Sequence, residues 1–167
     1  EVLKMGVRLS YIGTNSRKLT WSQDINQPPP AERPFRNELR RFPNLRNIFF
    51  RQNGGLHNYH SLHVVAERKL QAGLYYQLGW TWAKNLTDAQ SDDEGGSRPE
   101  NAYARHAEYG NVNYTTRHRL VATVLYDLPF GPGRTWLASR EGVGKWLVGG
   151  WSLSTILIGQ TGQFFSA

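Results

Sequence analysis

Three groups of side chains in this 167-residue chain could do chemistry. His57, His60 and His63 recur at a spacing of three. Imidazoles are common metal ligands, but side chains alternate on an extended segment, so His57 and His63 share one face and His60 opposes them. Rim or loop histidines are the simpler reading. Asp88, Asp92, Asp93 and Glu94 offer the hard oxygens that Ca²⁺ takes, usually ~6–8 of them. The Asp-x-[Asp/Asn]-x-[Asp/Asn]-Gly spacing of a calcium loop is missing, so a solvated loop is expected there. The third group interleaves Arg33, Arg36, Arg40, Arg41, Arg46 and Arg51 with Phe35, Phe42, Phe49 and Phe50. Cations between rings suit nucleic acid, through charge and base stacking. They suit equally any ligand that carries rings and charges. Hydrolytic machinery finds no support, because neither Gly-x-Ser-x-Gly nor His-Glu-x-x-His occurs. Cysteine is absent, which removes disulfides, thiolate metal sites and a cysteine nucleophile. The expectation is no enzymatic activity, no cofactor and no metal.

Those groups need a scaffold, and composition narrows it. Lys and Arg number 20 against 13 Asp and Glu, a formal charge of +7. Such a balance makes an anionic partner or surface the first suspicion. Hydrophobic residues make up 39% and aromatic residues 13%. A polar chain so rich in large rings is not a disordered one. No run approaches the ~18 consecutive apolar residues of a membrane-spanning helix. No charged segment followed by an apolar core opens the chain, so no signal peptide is expected within it.

Hydrophobicity alternates with a period of two in five places, which reads as five strands over about 2–12, 59–70, 74–86, 117–128 and 151–160. In the first, Leu3, Met5, Val7 and Leu9 oppose Lys4 and Arg8. In the second, Leu62 and Val64 share a side with Arg68, while Glu67 and Lys69 take the other. The third is the clearest: Leu78, Trp80 and Trp82 alternate with Gln77, Gly79 and Thr81. In the fourth, Leu120, Val124 and Tyr126 oppose Arg117, Arg119 and Asp127. The last is ambiguous, since Ile156, Leu157 and Ile158 are consecutive. Long loops over 13–57 and 87–115 alternate with shorter turns at 71–73 and 129–150, the latter holding an amphipathic linker.

Strands of this length with lopsided connections match an antiparallel transmembrane β-barrel. Its strands are ~9–11 residues, apolar toward lipid and polar toward the lumen, with long external loops and short periplasmic turns. Aromatic placement agrees. Tyr75, Tyr76, Tyr126, Phe130 and Trp151 fall at the periplasmic rim, and Trp80 and Trp82 toward the outer one. Five strands cannot close a barrel, which needs ~8 or more. The expectation is therefore an all-β barrel fragment, a curved meander sheet spanning 1–167 as one partial domain. A soluble basic β-domain that binds nucleic acid or polysaccharide is the alternative.

Several local patterns carry a family resemblance. Asn58-Tyr59-His60-Ser61-Leu62 followed by Glu67-Arg68-Lys69 resembles the N-Y-x-S/A-L-x-x-x-x-E-R/K-R/K strand of TonB-dependent outer-membrane receptors, closest to the Oar-like group with a carboxypeptidase-regulatory-like domain. Gly79-Trp80-Thr81-Trp82-Ala83-Lys84 is similar to its next strand. Tyr114-Thr115-Thr116-Arg117-His118-Arg119-Leu120 is similar to its Asp-x-R-H-R segment, with Thr115 in place of Asp. Leu128-Pro129-Phe130-Gly131, Gly149-Gly150-Trp151, Gln160-Thr161-Gly162-Gln163-Phe164 and Asn26-Gln27-Pro28-Pro29-Pro30 have counterparts too, and the order holds over nearly the whole chain. The resemblance implies a large barrel, about 22-stranded, plugged by an N-terminal domain and energised by TonB. The plug and the signal peptide are absent from this sequence.

On that reading Leu3, Met5, Val7, Leu9, Leu62, Val64, Leu78, Trp80, Trp82, Leu120, Val124 and Tyr126 face lipid. Lys4, Arg8, Glu67, Lys69, Arg117, Arg119 and Asp127 face the lumen; ordinary lumen polarity is the first reading of them, and a basic strip of Lys4, Arg8, Lys69, Arg117 and Arg119 that meets acids of the plug or an anionic substrate is the second. Arg36, Arg40, Arg41, Phe42, Asp92, Asp93 and Glu94 are the candidate ligand contacts of the external loops. A plain loop ranks first for the arginine-rich segment, ligand or lipopolysaccharide contact second, and nucleic acid last. The implied partners are outer-membrane lipid and lipopolysaccharide, TonB and the plug, and an unidentified ligand, in the bacterial outer membrane.

Overall fold

The computed structural model describes residues 5–90, 96–131, 134, 136 and 149–165. Six strands carry the fold: β1 (Met5–Asp24), β2 (Phe49–Gln71), β3 (Leu74–Thr87), β4 (Gly110–Asn111), β5 (His118–Asp127) and β6 (Ser152–Gln160). Short 3-10 turns occupy Asn37–Leu39 and Arg105–Glu108. All strands join one sheet in the order β1-β2-β3-β5-β6, with β4 paired to β3 off that path. β3 pairs antiparallel with both β4 and β5, and β5 pairs antiparallel with β6. The sheet is open: among the described residues β1 and β6 each have a neighbour on one side only. This is the all-β antiparallel architecture read from the sequence.

Between β2 and β3 the chain reverses through Ala72 and Gly73, with φ of 51° and 78°. Two successive left-handed residues define the turn whose twist matches that of paired strands. A Cβ on Gly73 would stand 3.0 Å from the Asp127 carbonyl oxygen, so the close approach of β5 also selects glycine there.

The first two strands depart from expectation. A loop is expected over 13–57, yet β1 continues to Asp24 and β2 starts at Phe49, leaving a connection of 25–48. Polar residues occupy both sides of these strand ends, so no apolar layer imprints a period of two. The backbone ladder needs no such pattern. Over 87–115, β3 ends at Thr87, and a 3-10 turn and β4 interrupt the loop. Most of the expected linker between 131 and 149 lies outside the described residues.

The residues group into two compact units. The first comprises Glu1–Tyr11, Leu62–Trp82 and Arg117–Thr161, and the second Ile12–Ser61, Ala83–Thr116 and Gly162–Ala167. In neither is there an apolar core of the ordinary kind. Among the described residues the buried apolar side chains are Trp21, Ala102 and Ala122, whereas Ser22, Asn26, Ser61, Thr87, Asp88 and Ser97 are buried polar ones. A water-soluble domain reverses that ratio. The large apolar side chains stay on the surface instead, Val7 at 64%, Leu120 at 49% and Leu157 at 62% exposure.

Candidate functional site

Cross-strand register assigns the faces of the first unit. Leu74, Tyr76, Leu78, Trp80 and Trp82 of β3 stand opposite Tyr126, Val124, Ala122, Leu120 and His118 of β5. Directly opposed residues share a face, so these ten form one apolar surface. On β6, Leu153 opposes Tyr126 and Leu157 opposes Ala122, which extends that surface. The other face pairs Gln77 with Thr123 and Thr81 with Arg119. Two hydrogen bonds tie in the remaining strands. The Tyr76 hydroxyl donates to Met5 Sδ at 3.2 Å, which sets Met5, and by alternation Val7 and Leu9, on the apolar side. His63 Nδ1 lies 3.2 Å from Thr81 Oγ1, which sets His63, Glu67 and Lys69 on the polar side and leaves Leu62 and Val64 on the apolar one.

Register also resolves β6. Ile156 opposes Thr123 and Ile158 opposes Val121, so both isoleucines lie on the polar face. They soften the basic strip into a mixed surface. Arg8 alternates onto that face, and Asp127 meets Arg134 Nη2 there at 3.5 Å. Leu3 and Lys4 lie outside the described residues. His118 sits on the apolar face at the first position of β5, its ring stacked on Trp80 with centroids 5.7 Å apart. Arg68 is on the same face, half-buried, with Nε screened from solvent.

The second unit is a polar platform. Asp88 is almost wholly buried, and its Oδ2 lies 2.5 Å from Arg105 Nη1. Its Oδ1 accepts the Leu56 amide at 2.6 Å, Arg105 Nη2 donates to the Gly54 carbonyl at 2.8 Å, and the guanidinium stands 5.0 Å from the Trp21 ring. A buried charge survives only when paired and hydrogen-bonded this fully. Asp88 is therefore a structural anchor and not a free ligand for a cation. Asp92, Asp93 and Glu94 lie outside the described residues. His57 is held by Asn85 Oδ1 at 2.5 Å. Among the described residues no cluster of three or more His, Asp or Glu could hold a metal.

The 25–48 connection is organised by Asp24 and Asn26; the sequence marks Asn26 only as the start of the Asn26-Gln27-Pro28 motif and gives neither residue a structural role. Asn26 is fully buried. Its Nδ2 donates to the carbonyls of Phe42, Leu45 and Arg46 at 3.1, 3.1 and 2.7 Å, and its Oδ1 accepts the Phe42 amide at 2.9 Å. Asp24 accepts the amides of Asn26 and Ile48 at 3.0 Å each, and Asn47 Nδ2 at 2.6 Å. Gln27 joins this loop to the 96–115 segment, donating to the Glu100 carbonyl and accepting the Ala102 amide, both at 2.6 Å. The local cue is Asp24-x-Asn26 before a proline run, a turn-forming pair, but nothing in it says which carbonyls will be met.

The candidate contacts of this loop separate. Arg36 is exposed, and Arg41 lies 5.5 Å from the Phe42 ring on the surface. Arg40 is half-buried, 5.2 Å from the Phe35 ring. Arg98 covers Phe49 at 4.7 Å. Three of the rings that would stack bases are thus already capped by guanidinium groups.

A family model described as an outer membrane beta barrel domain matches residues 3–167. A comparison with curated proteins finds no match, and one with solved structures finds none either. The match covers nearly the entire chain, so the chain belongs to that family and its place is the bacterial outer membrane. The soluble alternative gives way.

Proposed function

We propose that this member of the outer membrane beta barrel domain family is a wall segment of a TonB-dependent receptor that takes up a ligand across the outer membrane. The observation that carries the reading is the match of an outer membrane beta barrel family model over residues 3–167. The sheet adds a two-residue reversal at Ala72-Gly73 and a long, internally hydrogen-bonded loop over 25–48, while the β5–β6 connection, 128–151, is as long as that loop. Ordered external loops and short periplasmic turns are the pattern of outer-membrane barrels. The ordered series of receptor-like motifs, from Asn26-Gln27-Pro28 to Gln160-Thr161-Gly162, supports the finer assignment.

In this reading the chain performs no covalent chemistry. Its apolar face contacts lipid and lipopolysaccharide, its polar face borders the lumen and the plug, and its loops meet the ligand. TonB acts on the plug, outside this chain. Nucleic acid is not a partner. The loop arginines supply the positive charge, and guanidinium groups already stand over the rings of Phe35, Phe42 and Phe49, while Phe50 stays exposed.

Sequencing the flanking reading frame tests the assignment. An upstream plug domain with a TonB-contact segment, and further alternating strands downstream, is the expected result. A frame that encodes only barrel strands overturns it.

A further inference from the structure

Among the described residues of the second unit, the buried side-chain polar atoms are matched to partners with one exception, in the 25–48 loop. Arg40 Nε and Nη1 are buried and lack any acceptor. No carboxylate forms an ion pair with Arg40 among the described residues. Buried donors of a charged group are costly to leave unmatched. Arg40 also lines two cavities, of about 320 and 420 Å³. Both fall in the ~300–1,000 Å³ range of small-molecule sites.

The walls say what would fit. In the first cavity Pro28, Phe35 and Leu39 are apolar, while Gln27 and Asn47 are polar. Asp24 borders both cavities, but its oxygens already accept three donors, from Asn26, Ile48 and Asn47. Arg33 in one cavity and Arg41 in the other tip the balance toward positive charge. The walls are also held in place, by the four hydrogen bonds of Asn26 and by the Tyr103 hydroxyl donating to the Gln27 carbonyl at 2.8 Å. A fixed site loses little entropy on binding.

We propose that this loop binds a small organic oxyanion, its charged head against the unmatched Arg40 donors and its ring or alkyl body against Pro28, Phe35 and Leu39. The inference rests on the receptor reading, because it needs the loop to face the outside.

The test uses the protein extracted from outer membranes in detergent, titrated calorimetrically with 3-phenylpropanoate, its uncharged amide and inorganic phosphate. The carboxylate is expected to bind at least tenfold tighter than either of the others. Arg40→Gln is expected to cost at least tenfold, and Lys84→Gln, an exposed cation that lines neither cavity, to cost nothing. Equal affinity for carboxylate and amide overturns the proposal, as does an unaffected Arg40→Gln. Phosphate binding as tightly as the carboxylate overturns it too, since the apolar wall would then play no part. A variant that misfolds the loop is bypassed by NMR of the wild-type protein labelled with ¹⁵N-arginine. The Arg40 Nε–H resonance, assigned by its absence from Arg40→Lys, moves downfield with 3-phenylpropanoate if the site exists and stays put if it does not. Labelling of Ala31→Cys in intact cells by a membrane-impermeant maleimide separates the two readings. Normal labelling without binding sinks the oxyanion site alone, and blocked labelling sinks the receptor orientation beneath it.

Discussion

Leu78→Arg is the substitution on which the lipid-facing surface makes its sharpest prediction. Leu78 lies midway along the β3–β5 ladder, four positions from Leu74 and four from Trp82, opposite Ala122. At a rise of ~3.4 Å per residue and a tilt of ~45°, four residues span roughly 10 Å of depth on either side. That puts Leu78 near the centre of an apolar band ~25 Å tall. An arginine at that depth costs ~2–4 kcal/mol, and each ~1.4 kcal/mol is a factor of ten in the equilibrium. The folding equilibrium constant in phospholipid vesicles should fall ~30- to 1,000-fold. Gln77→Arg, one residue away on the polar face beside Thr123, should cost under ~0.5 kcal/mol. Urea titration in vesicles, followed by tryptophan fluorescence and by gel mobility without heating, measures both. Equal losses for the two variants, or a larger loss for Gln77→Arg, would refute the face assignment.

Other substitutions probe the polar platform. Arg105→Met strands the Asp88 carboxylate and should cost ~3–5 kcal/mol, with much of the loss recovered in Asp88→Asn/Arg105→Met; protease cleavage within 96–115 reads it. Asn26→Ala removes the buried amide that holds the Phe42, Leu45 and Arg46 carbonyls and the Phe42 amide. It should release the 25–48 loop to limited proteolysis while the strands stay protected. Gly55→Ala would put a Cβ 2.5 Å from the Ala89 Cβ and 2.9 Å from the Leu19 Cβ, neither of which can rotate away. A loss of ~1–3 kcal/mol in urea unfolding is expected, and an unchanged midpoint would contradict that packing.

Legibility followed the presence of an apolar layer. Over 74–82 and 118–126 every second side chain is apolar, so Leu78, Trp80, Leu120 and Val124 can be assigned one shared face from periodicity, and the register agrees. Over 12–24 and 49–58 no such alternation holds, and the strands there are invisible to a period-two reading. In β6 three consecutive apolar residues leave the phase undetermined, and only pairing with β5 assigns Ile156 and Ile158 to the polar face. The loops were the least readable. Asp88 and Arg105 advertise opposite charges, but 17 residues of separation give no hint that they meet. Asn26 looks like an ordinary turn residue and proves to be the hub of its loop.

The claim beneath all of this is that one side of the sheet meets hydrocarbon and the other meets water. Spin labels placed singly at positions 77, 78, 80, 119, 120, 123 and 124 of the protein in lipid vesicles test it directly. Collisions with oxygen, which concentrates in lipid, and with a water-soluble nickel chelate are measured for each. Oxygen should dominate at 78, 80, 120 and 124, and nickel at 77, 119 and 123. Opposite phase, or no alternation at all, would contradict the account.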